Sequence, residues 1–275
     1  MDIQLDGVQK TLLMPLYGRA KLSRVSNDLL VDSKAVEIVD SLDFDFSAIE
    51  KNTTYAGHIY YLVRAKIIDD SILDYLENHP QATIINLGSG LDTTFYRIDN
   101  KLIRWYDIDL PGVIELRNML IPETERSKYI KSSIFDMDWI KSIKSSNNIL
   151  FICTGVFEYF DKEQVVEFLV SLAENFPGSE IIFNTTSNNK LNSYFVKKNM
   201  KKMGMNASPT RMGNIINCLK RLRDKLTIVE YYSLESKIEL KKIFDKKILK
   251  QLKNYYAVMR VKIIHLRLSS DTAVI

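Results

Sequence analysis

Short β-rich runs alternate with amphipathic helical stretches between residues 82 and 185, and this alternation constrains the fold more than any other feature. The runs combine β-branched and apolar residues and end at turn or capping residues. Strands that alternate with helices predict a parallel sheet joined by right-handed crossovers. The five predicted strands are 82–87, 103–108, 129–134, 148–153 and 180–184.

The end of the chain continues the sheet differently. Lys225 to Tyr232 is a strand pattern, a helix is predicted through about Leu252, and Tyr255 to Leu268 is a long closing run rich in β-branched residues. No internal repeat or low-complexity linker divides the 275 residues, so they are interpreted as a single domain. Its predicted parts are an N-terminal helical region (1–80), the core of the sheet (81–185), a helical cap (186–224) and the C-terminal part of the sheet (225–275).

Charge is divided unevenly along the chain. Residues 1–185 hold 18 basic and 28 acidic side chains, a net charge of −10, and residues 186–275 hold 20 and 6, a net charge of +14. A basic third can attract an anionic substrate, nucleic acid or a membrane surface. A solvated lysine-rich surface is favoured over a nucleic-acid patch, and exposed apolar surface on the cap would allow a homo-oligomer.

Features of the sequence also predict the location of the protein. The N-terminus has neither a basic region nor an apolar run, and no stretch approaches the roughly 18 apolar residues of a membrane span. Cys153 and Cys218, the two cysteines, are far apart in sequence, which favours free thiols in a reducing compartment. The protein is therefore expected to be cytoplasmic and to contact no membrane.

A glycine turn follows the first predicted strand. Gly88-Ser89-Gly90 directly succeeds residues 84–87. Ligands of a doubly wound sheet bind at the carboxyl ends of its strands, and glycine lets the backbone approach a nucleotide closely. An ordinary tight turn is an equally good interpretation of these glycines alone.

The end of the second predicted strand carries two acids. Asp109 lies 21 residues after Gly88, near the spacing at which an acid accepts the ribose hydroxyls of a nucleoside. Asp107 is the alternative candidate for this role, and one of the two acids is expected to pack locally instead of facing a ligand. Thr93 stands where a dinucleotide fingerprint has its third glycine, so the turn suits a nucleoside without a pyrophosphate. S-adenosylmethionine is such a ligand, and no metal site is predicted.

This ligand needs further partners. Its carboxylate requires a guanidinium, and Arg64 is the arginine of the helix that precedes the first strand. Pairing with Asp69 or Asp70 is the structural alternative for Arg64. Its adenine requires an apolar face and an acceptor after the third strand, which Phe135 and Asp136 would provide. Taken alone, Asp136 is better interpreted as a helix N-cap.

These motifs together resemble the leucine carboxyl methyltransferase family. Residues 86–97 (NLGSGLDTTFYR), 107–111 (DIDLP) and 155–160 (GVFEYF) look like its first-strand, second-strand and fourth-strand motifs. Residues 11–20 (TLLMPLYGRA) and 32–36 (DSKAV) are more similar to its bacterial branch, typified by tetracenomycin-type polyketide O-methyltransferases.

The resemblance implies an α/β, Rossmann-like class I fold that uses S-adenosylmethionine, with a seven-stranded, mostly parallel sheet whose last strand is antiparallel. It implies that residues 81–185 are the cofactor-binding core. The family often has Glu before the Gly-Val of its fourth-strand motif, and Thr154 stands there in this chain. The residues that would bind the cofactor are Arg64, Gly88, Gly90, Asp109, Leu110, Phe135, Asp136 and Thr154.

The acceptor is expected to be a small or medium-sized anionic molecule. A carboxylate is ionised at neutral pH and needs orientation rather than a base. Tyr17, Arg19 and Arg211 are the candidates for that orientation. The three histidines have no evident place beside the methyl donor, which favours a carboxylate over a hydroxyl acceptor.

Other functions stay open. The basic third also fits an RNA or protein methyltransferase. Thr154 also fits a non-catalytic descendant that binds the cofactor or a partner. A nicotinamide-dependent dehydrogenase is disfavoured by the missing third glycine.

Overall fold

A seven-stranded sheet forms the centre of the protein. The computed structural model describes residues 9–25, 28–144, 148–186, 190–205, 207, 212 and 215–269. The strands in spatial order are β3, β2, β1, β4, β5, β7 and β6. Their bounds are β1 Thr83–Leu87, β2 Arg104–Asp109, β3 Ser127–Lys131, β4 Ile149–Cys153, β5 Glu180–Thr186, β6 Leu226–Ser233 and β7 Val261–Leu268.

Strands β1 to β5 pair in parallel, and β7 is antiparallel to both β5 and β6. The predicted fold, mostly parallel with an antiparallel last strand, is confirmed. The predicted closing run from Tyr255 to Leu268 is wrong in its first part. Residues up to Met259 form a helix, because Leu252 and Tyr256 are buried one turn apart against other helices. Arg260, in the left-handed conformation with φ 46°, ends that helix before β7.

Helices cover both faces of the sheet and its carboxyl edge. Several begin where the sequence provides a cap: the Asp32 side chain accepts the N–H of Ala35, as predicted, and Thr54 accepts the N–H of Gly57. The α-helices are α1 Leu13–Ser23, α2 Ser33–Ser41, α3 Ser47–Asn52, α4 Tyr55–Asn78, α5 Thr94–Ile98, α6 Pro111–Leu120, α7 Lys162–Asn175, α8 Lys190–Lys202, α9 Ile215–Leu219 and α10 Lys246–Met259.

Alternation along the strands divides the core into two layers. Ile84 of β1 points into a layer shared with α4 and α10, whereas its neighbour Ile85 points into the layer shared with α7. Both side chains are fully buried, as is typical of strands covered on both faces. The sheet is therefore held between two helical layers. These two layers leave the carboxyl ends of the strands as the place where a ligand can approach.

A third apolar cluster closes that edge. Helices α1 and α2 pack beside α8, and Met200 of α8 and Met203 of the turn that follows it are buried against them. Thr53 at the end of α3 donates a hydrogen bond to the Met203 sulfur at 3.9 Å. These helices form a roof above the strand ends, and the predicted division of the chain into four parts stays a prediction. In the part of the chain that the structure describes, no helix is both long and apolar enough to cross a membrane.

Candidate functional site

A cavity of about 580 Å³ opens at the carboxyl ends of the parallel strands. The strand order reverses direction between β1 and β4, and the cavity lies across this switch point, where ligands of doubly wound sheets bind. The ends of five strands and the loops after them line it, namely 88–92 after β1, 109–110 at the end of β2, 132–134 after β3, 154–156 and 158–160 after β4, and Thr186 at the end of β5.

The glycine turn is held in a conformation that other residues disfavour. Gly88 has φ +67°, and a Cβ placed on it would lie 2.4 Å from a methyl carbon of Val156. The N–H groups of Gly88 and Ser89 both donate to the Ile108 carbonyl, at 2.8 and 3.2 Å. The turn is therefore fixed against β2 and against the loop after β4, with its backbone at the cavity wall.

The two acids of β2 have different surroundings. The Asp109 carboxylate lies at the cavity and accepts the backbone N–H groups of Gly90 and Leu110, both at 2.7 Å. Asp107 is fully buried and accepts from Arg117 at 2.8 Å and from the Asn86 side chain at 2.9 Å. The prediction that one of the pair packs locally is confirmed, and Asp109 is the carboxylate that faces the cavity.

Arg64 is a buried cation at the cavity wall. Its guanidinium lies over the rings of Tyr60 and Tyr61, 5.5 and 5.7 Å from their centres, and 3.1 Å from where a Cβ on Gly155 would be. Within the described residues it has no carboxylate inside the 4.0 Å limit for an ion pair.

The structural alternative for Arg64 was pairing with Asp69 or Asp70, and the structure contradicts it. Asp69 is bound by Arg97 at 2.6 Å, and Asp70 is bound by Lys66 one helical turn away at 2.5 Å. The Arg64 guanidinium is therefore left to face the cavity, where a ligand carboxylate would satisfy it.

The loop after β4 brings two side chains to the cavity. Thr154 lines it, and a 3-10 helix over Phe157–Tyr159 buries Phe157 while turning Glu158 towards the cavity. Thr186 at the end of β5 donates a hydrogen bond to Glu158 at 3.5 Å. Burial raises the pKa of Glu158 above its ordinary value, although the charge of Arg64 acts in the opposite direction.

Glu158 was missed as a site residue by the sequence analysis. The fourth-strand motif at residues 155–160 contains Glu158, but the resemblance implied no role for its carboxylate. The available signal was a charged residue between the aromatic side chains of Phe157 and Tyr159, in a turn that follows a fully buried strand.

Phe135 and Asp136, the two predicted adenine contacts, lie outside the cavity lining, and their contact with adenine stays a prediction. Phe135 packs against Phe160 and Phe168, with ring centres 4.6 and 5.2 Å away, so it belongs to the core. Asp136 accepts the N–H of Asp138 at 3.3 Å and caps a 3-10 helix, as its alternative interpretation predicted. The cavity lining after β3 consists of residues 132–134, which immediately precede them.

The predicted acceptor-orienting residues do not form a group. Tyr17 lies outside the cavity lining, where its hydroxyl donates to Glu50 at 2.9 Å and its ring stacks on Phe46. Arg19 reaches the cavity wall, but its guanidinium donates to Asp32 at 2.8 Å and to the Leu91 carbonyl at 3.3 Å, which makes it part of the scaffold. Arg211 lies outside the described residues.

The residues present fit S-adenosylmethionine. Arg64 offers a guanidinium that has no carboxylate within ion-pair distance among the described residues, Asp109 offers acceptor oxygens for ribose hydroxyls, and the Gly88 turn allows close approach of the backbone. The Ser89 hydroxyl, which lines the same cavity, is buried without a hydrogen-bond partner among the described residues. A ligand rich in polar atoms would satisfy these groups.

The sheet order, the glycine turn after β1, the acid at the end of β2 and the antiparallel β7 define a Rossmann-like class I methyltransferase. The chain belongs to the leucine carboxyl methyltransferase family, whose sequence profile matches residues 13–173. The predicted family and the predicted cofactor, S-adenosylmethionine, are confirmed.

Two relatives are named as methyltransferases. The tetracenomycin polyketide synthesis O-methyltransferase TcmP of Streptomyces glaucescens is 31% identical over 182 residues, which cover 66% of this chain and 67% of the relative. The S-adenosyl-L-methionine-dependent methyltransferase dpfgK of Gibberella zeae is 28% identical over 195 residues, or 65% of each chain. The chain thus spans about two thirds of the length of these relatives.

Solved structures share the fold. A DUF574 family protein of Streptomyces avermitilis superposes with a TM-score of 0.59 at 13% identity, over 86% of this chain and 97% of that one. A putative methyltransferase of Thermobifida fusca gives a TM-score of 0.51 at 11% identity, over 92% and 94% of the two chains.

Proposed function

We propose that the protein is an S-adenosylmethionine-dependent O-methyltransferase that acts on an oxygen of a small or medium-sized molecule. The observation that supports this most is the convergence of Arg64, Gly88 and Asp109, from three separate elements, on one cavity that continues beneath the roof helices. Its cofactor half would be occupied by the methyl donor, and the remainder would receive the acceptor.

Within this proposal each part of the cofactor has a partner. Arg64 would bind the methionine carboxylate, the turn at Gly88 and Gly90 would line the methionine part, and Asp109 would accept from the ribose hydroxyls, with Leu110 beside it. Residues 132–134 would replace Phe135 and Asp136 at the adenine end. When bound, the cofactor supplies an electrophilic methyl group on a sulfonium.

The rest of the cavity suits an acceptor with apolar surface. Aromatic and methionine side chains predominate there. They come from the loop after β4, from α8 and the turn that follows it, and from α10, namely Tyr159, Phe160, Met200, Met203, Tyr255 and Met259. Apolar walls with a few polar groups are typical of small-molecule sites, and they hold an acceptor in line for transfer. An acceptor of the polyketide type, the class of molecule in the name of the Streptomyces glaucescens relative, fits this lining.

Titration calorimetry tests the cofactor assignment. The protein is expected to bind S-adenosylmethionine saturably and not NAD. Asp109→Ala should reduce the affinity at least 100-fold, because the ribose hydroxyls lose their acceptor in a partly buried site. Asp138→Ala removes an exposed carboxylate outside the cavity and serves as the matched control.

Undiminished binding by Asp109→Ala would contradict the site assignment. Binding of S-adenosylmethionine without methylation of any acceptor pool would instead favour the non-catalytic alternative that Thr154 suggested.

A further inference from the structure

We propose that Glu158 binds the ammonium group of S-adenosylmethionine, so that Arg64 and Glu158 together hold the amino-acid end of the cofactor. This inference rests on the proposed function and supplies a partner for the ammonium, which the proposed function leaves without one. The ammonium and the carboxylate of an amino acid are attached to the same carbon atom. The group that binds the ammonium must therefore lie beside the guanidinium that would bind the carboxylate.

Glu158 is a carboxylate beside Arg64. Both side chains line the cavity, Arg64 from α4 and Glu158 from the turn after β4. Burial opposes both charges, because it acts to lower the pKa of Arg64 and to raise the pKa of Glu158, and the charge of each group acts against this on the other. Among the described residues, no carboxylate lies within 4.0 Å of the Arg64 guanidinium. The two charges are therefore near each other but separate, as two groups that bind neighbouring atoms of one ligand must be.

Two other carboxylates line the cavity among the described residues, and both have different partners. Asp92 accepts the Asn86 amide at 3.2 Å and the Thr94 hydroxyl at 3.1 Å, so it fixes the loop after β1. Asp109 accepts two backbone N–H groups at the end of β2, on the opposite side of β1 from the turn after β4. Glu158 is therefore the carboxylate that this part of the chain offers to an ammonium near Arg64.

The turn that carries Glu158 is fixed on both sides of it. The Phe157 side chain is fully buried, and the Tyr159 hydroxyl donates to the Thr11 hydroxyl at 3.2 Å. The Thr186 hydroxyl donates to the Glu158 carboxylate itself at 3.5 Å. A carboxylate that is held in place before binding loses less conformational freedom when a cation binds to it. These contacts therefore favour Glu158 as a preformed partner for a ligand cation.

Charge balance favours a zwitterion at this end of the cavity. A buried charge is costly unless an opposite charge compensates it. Arg64 and Glu158 carry one charge of each sign when both are ionised, and the amino-acid end of the cofactor also carries one of each sign at neutral pH. Its binding pairs both side chains with opposite charges and adds charge-assisted hydrogen bonds. Thr154, which lines the same wall, offers a hydroxyl but no charge.

Analogues of S-adenosylhomocysteine that lack one charged group test this assignment by titration calorimetry. The deamino analogue keeps the carboxylate, the decarboxylated analogue keeps the ammonium, and methylthioadenosine lacks both. The unmodified protein should bind S-adenosylhomocysteine at least tenfold more tightly than the deamino analogue. This factor is what one charge-assisted hydrogen bond in a partly buried site contributes.

Glu158→Gln should remove that preference. Its affinity for S-adenosylhomocysteine should fall at least tenfold, whereas its affinity for the deamino analogue and for methylthioadenosine should not fall, because neither ligand carries the ammonium. Glu163→Gln, which removes an exposed carboxylate on α7, is the matched control and should leave every affinity unchanged. Arg64→Gln should give the reciprocal pattern and weaken the binding of the deamino analogue more than that of the decarboxylated analogue.

The outcomes separate this inference from the proposed function. Failure of the unmodified protein to bind S-adenosylhomocysteine would overturn the proposed function itself. Equal affinity of the unmodified protein for S-adenosylhomocysteine and the deamino analogue, or a preference that Glu158→Gln retains, would overturn the ammonium assignment alone. Equal losses for both ligands in Glu158→Gln would also overturn it, because Glu158 would then act only through Arg64. If Glu158→Gln no longer binds methylthioadenosine, Glu158→Asp replaces it, and a reduced preference is again expected because the shorter side chain withdraws the carboxylate.

Discussion

Two cation-rich regions of the molecule use their positive charge in opposite ways. Around the glycine turn, Arg19, Arg97 and Arg117 are buried and bound to carboxylates. In the C-terminal third, the lysines of α10 at 246, 247, 250 and 253 are exposed. The first group fixes the position of the site, and the second group covers the outer surface of a helix that contributes apolar side chains to the same cavity.

The arginine region works as a connected network. The Asp32 carboxylate accepts from Arg19 and Arg97, each at 2.8 Å, and from the Thr93 hydroxyl at 2.6 Å. Arg97 also binds Asp69 of α4, so the N-terminal helices, α4 and the loop after the glycine turn are joined by buried charges. Those arginine cations hold the pKa of Asp32 below its ordinary value even though burial opposes this.

The roof region contrasts with that network because its contacts are mainly apolar. Met200, Met203 and Met205 are buried among the side chains of α1, α2 and α3. Methionine is flexible and adapts to irregular surfaces. The side of the cavity at the glycine turn is therefore held by directional charged bonds, whereas the roof side is covered by flexible side chains that can repack.

The largest effect is expected from breaking the network at its centre. Asp32→Ala should lower the free energy of unfolding by about 3–5 kcal/mol, because it leaves two buried guanidinium groups without their shared carboxylate. Chemical denaturation measures this. The control is Asp40→Ala in the same helix α2, whose exposed pair with Arg24 should contribute less than about 1 kcal/mol. Equal losses for the two variants would contradict the contrast between buried and exposed charge.

A smaller effect is expected from the roof. Met203→Ala should lower the free energy of unfolding by about 2 kcal/mol, the low end for removing a buried methionine side chain, because neighbouring methionines can fill part of the space. Met119→Ala, at a site where the methionine is 57% exposed, provides the matched comparison in the same denaturation experiment. A loss as large as that of Asp32→Ala would show that the roof is as rigid as the network.

The smallest effect is expected from the exposed lysines. Replacing Lys246, Lys250 and Lys253 of α10 by Gln should change the free energy of unfolding by no more than about 0.5 kcal/mol for each residue. The same variant tests the RNA-binding alternative in a gel-shift assay at low salt. We expect no RNA binding by the unmodified protein, and salt-sensitive binding that the triple variant loses would favour an RNA substrate.

Much of the fold could be predicted from local patterns. The strand runs lie within a few residues of β1 to β5, and the capping role of Asp32 was visible in the sequence. The exception is the run from Tyr255, where apolar residues at both helical and strand spacing continue without a break. Packing of Leu252 and Tyr256 against other helices decided that these residues belong to α10.

The site was predictable only in part. Glycine and acid after buried strands indicate a ligand edge, and Gly88 and Asp109 do line the cavity. Phe135 and Asp136 lie outside the cavity lining, and the sequence could not show this because an acid after a strand caps a helix as readily as it binds adenine. Arg19 was misinterpreted because its partner, Asp32, lies in another helix.

The sequence by itself determined the order of strands and helices, the family, the cofactor and the strand ends at which the ligand edge forms. The order of elements and the ligand edge follow from short-range periodicity and from turn residues whose backbone requirements are local, and the family and its cofactor follow from the resemblance of the motifs. The tertiary structure alone decided which charged side chains are bound in ion pairs within the protein. Arg97 binds Asp69, Arg64 lines the cavity, and a turn after β4 brings Glu158 to the same cavity. The physical reason is that a buried charge is governed by its nearest partners, and those partners come from distant parts of the chain.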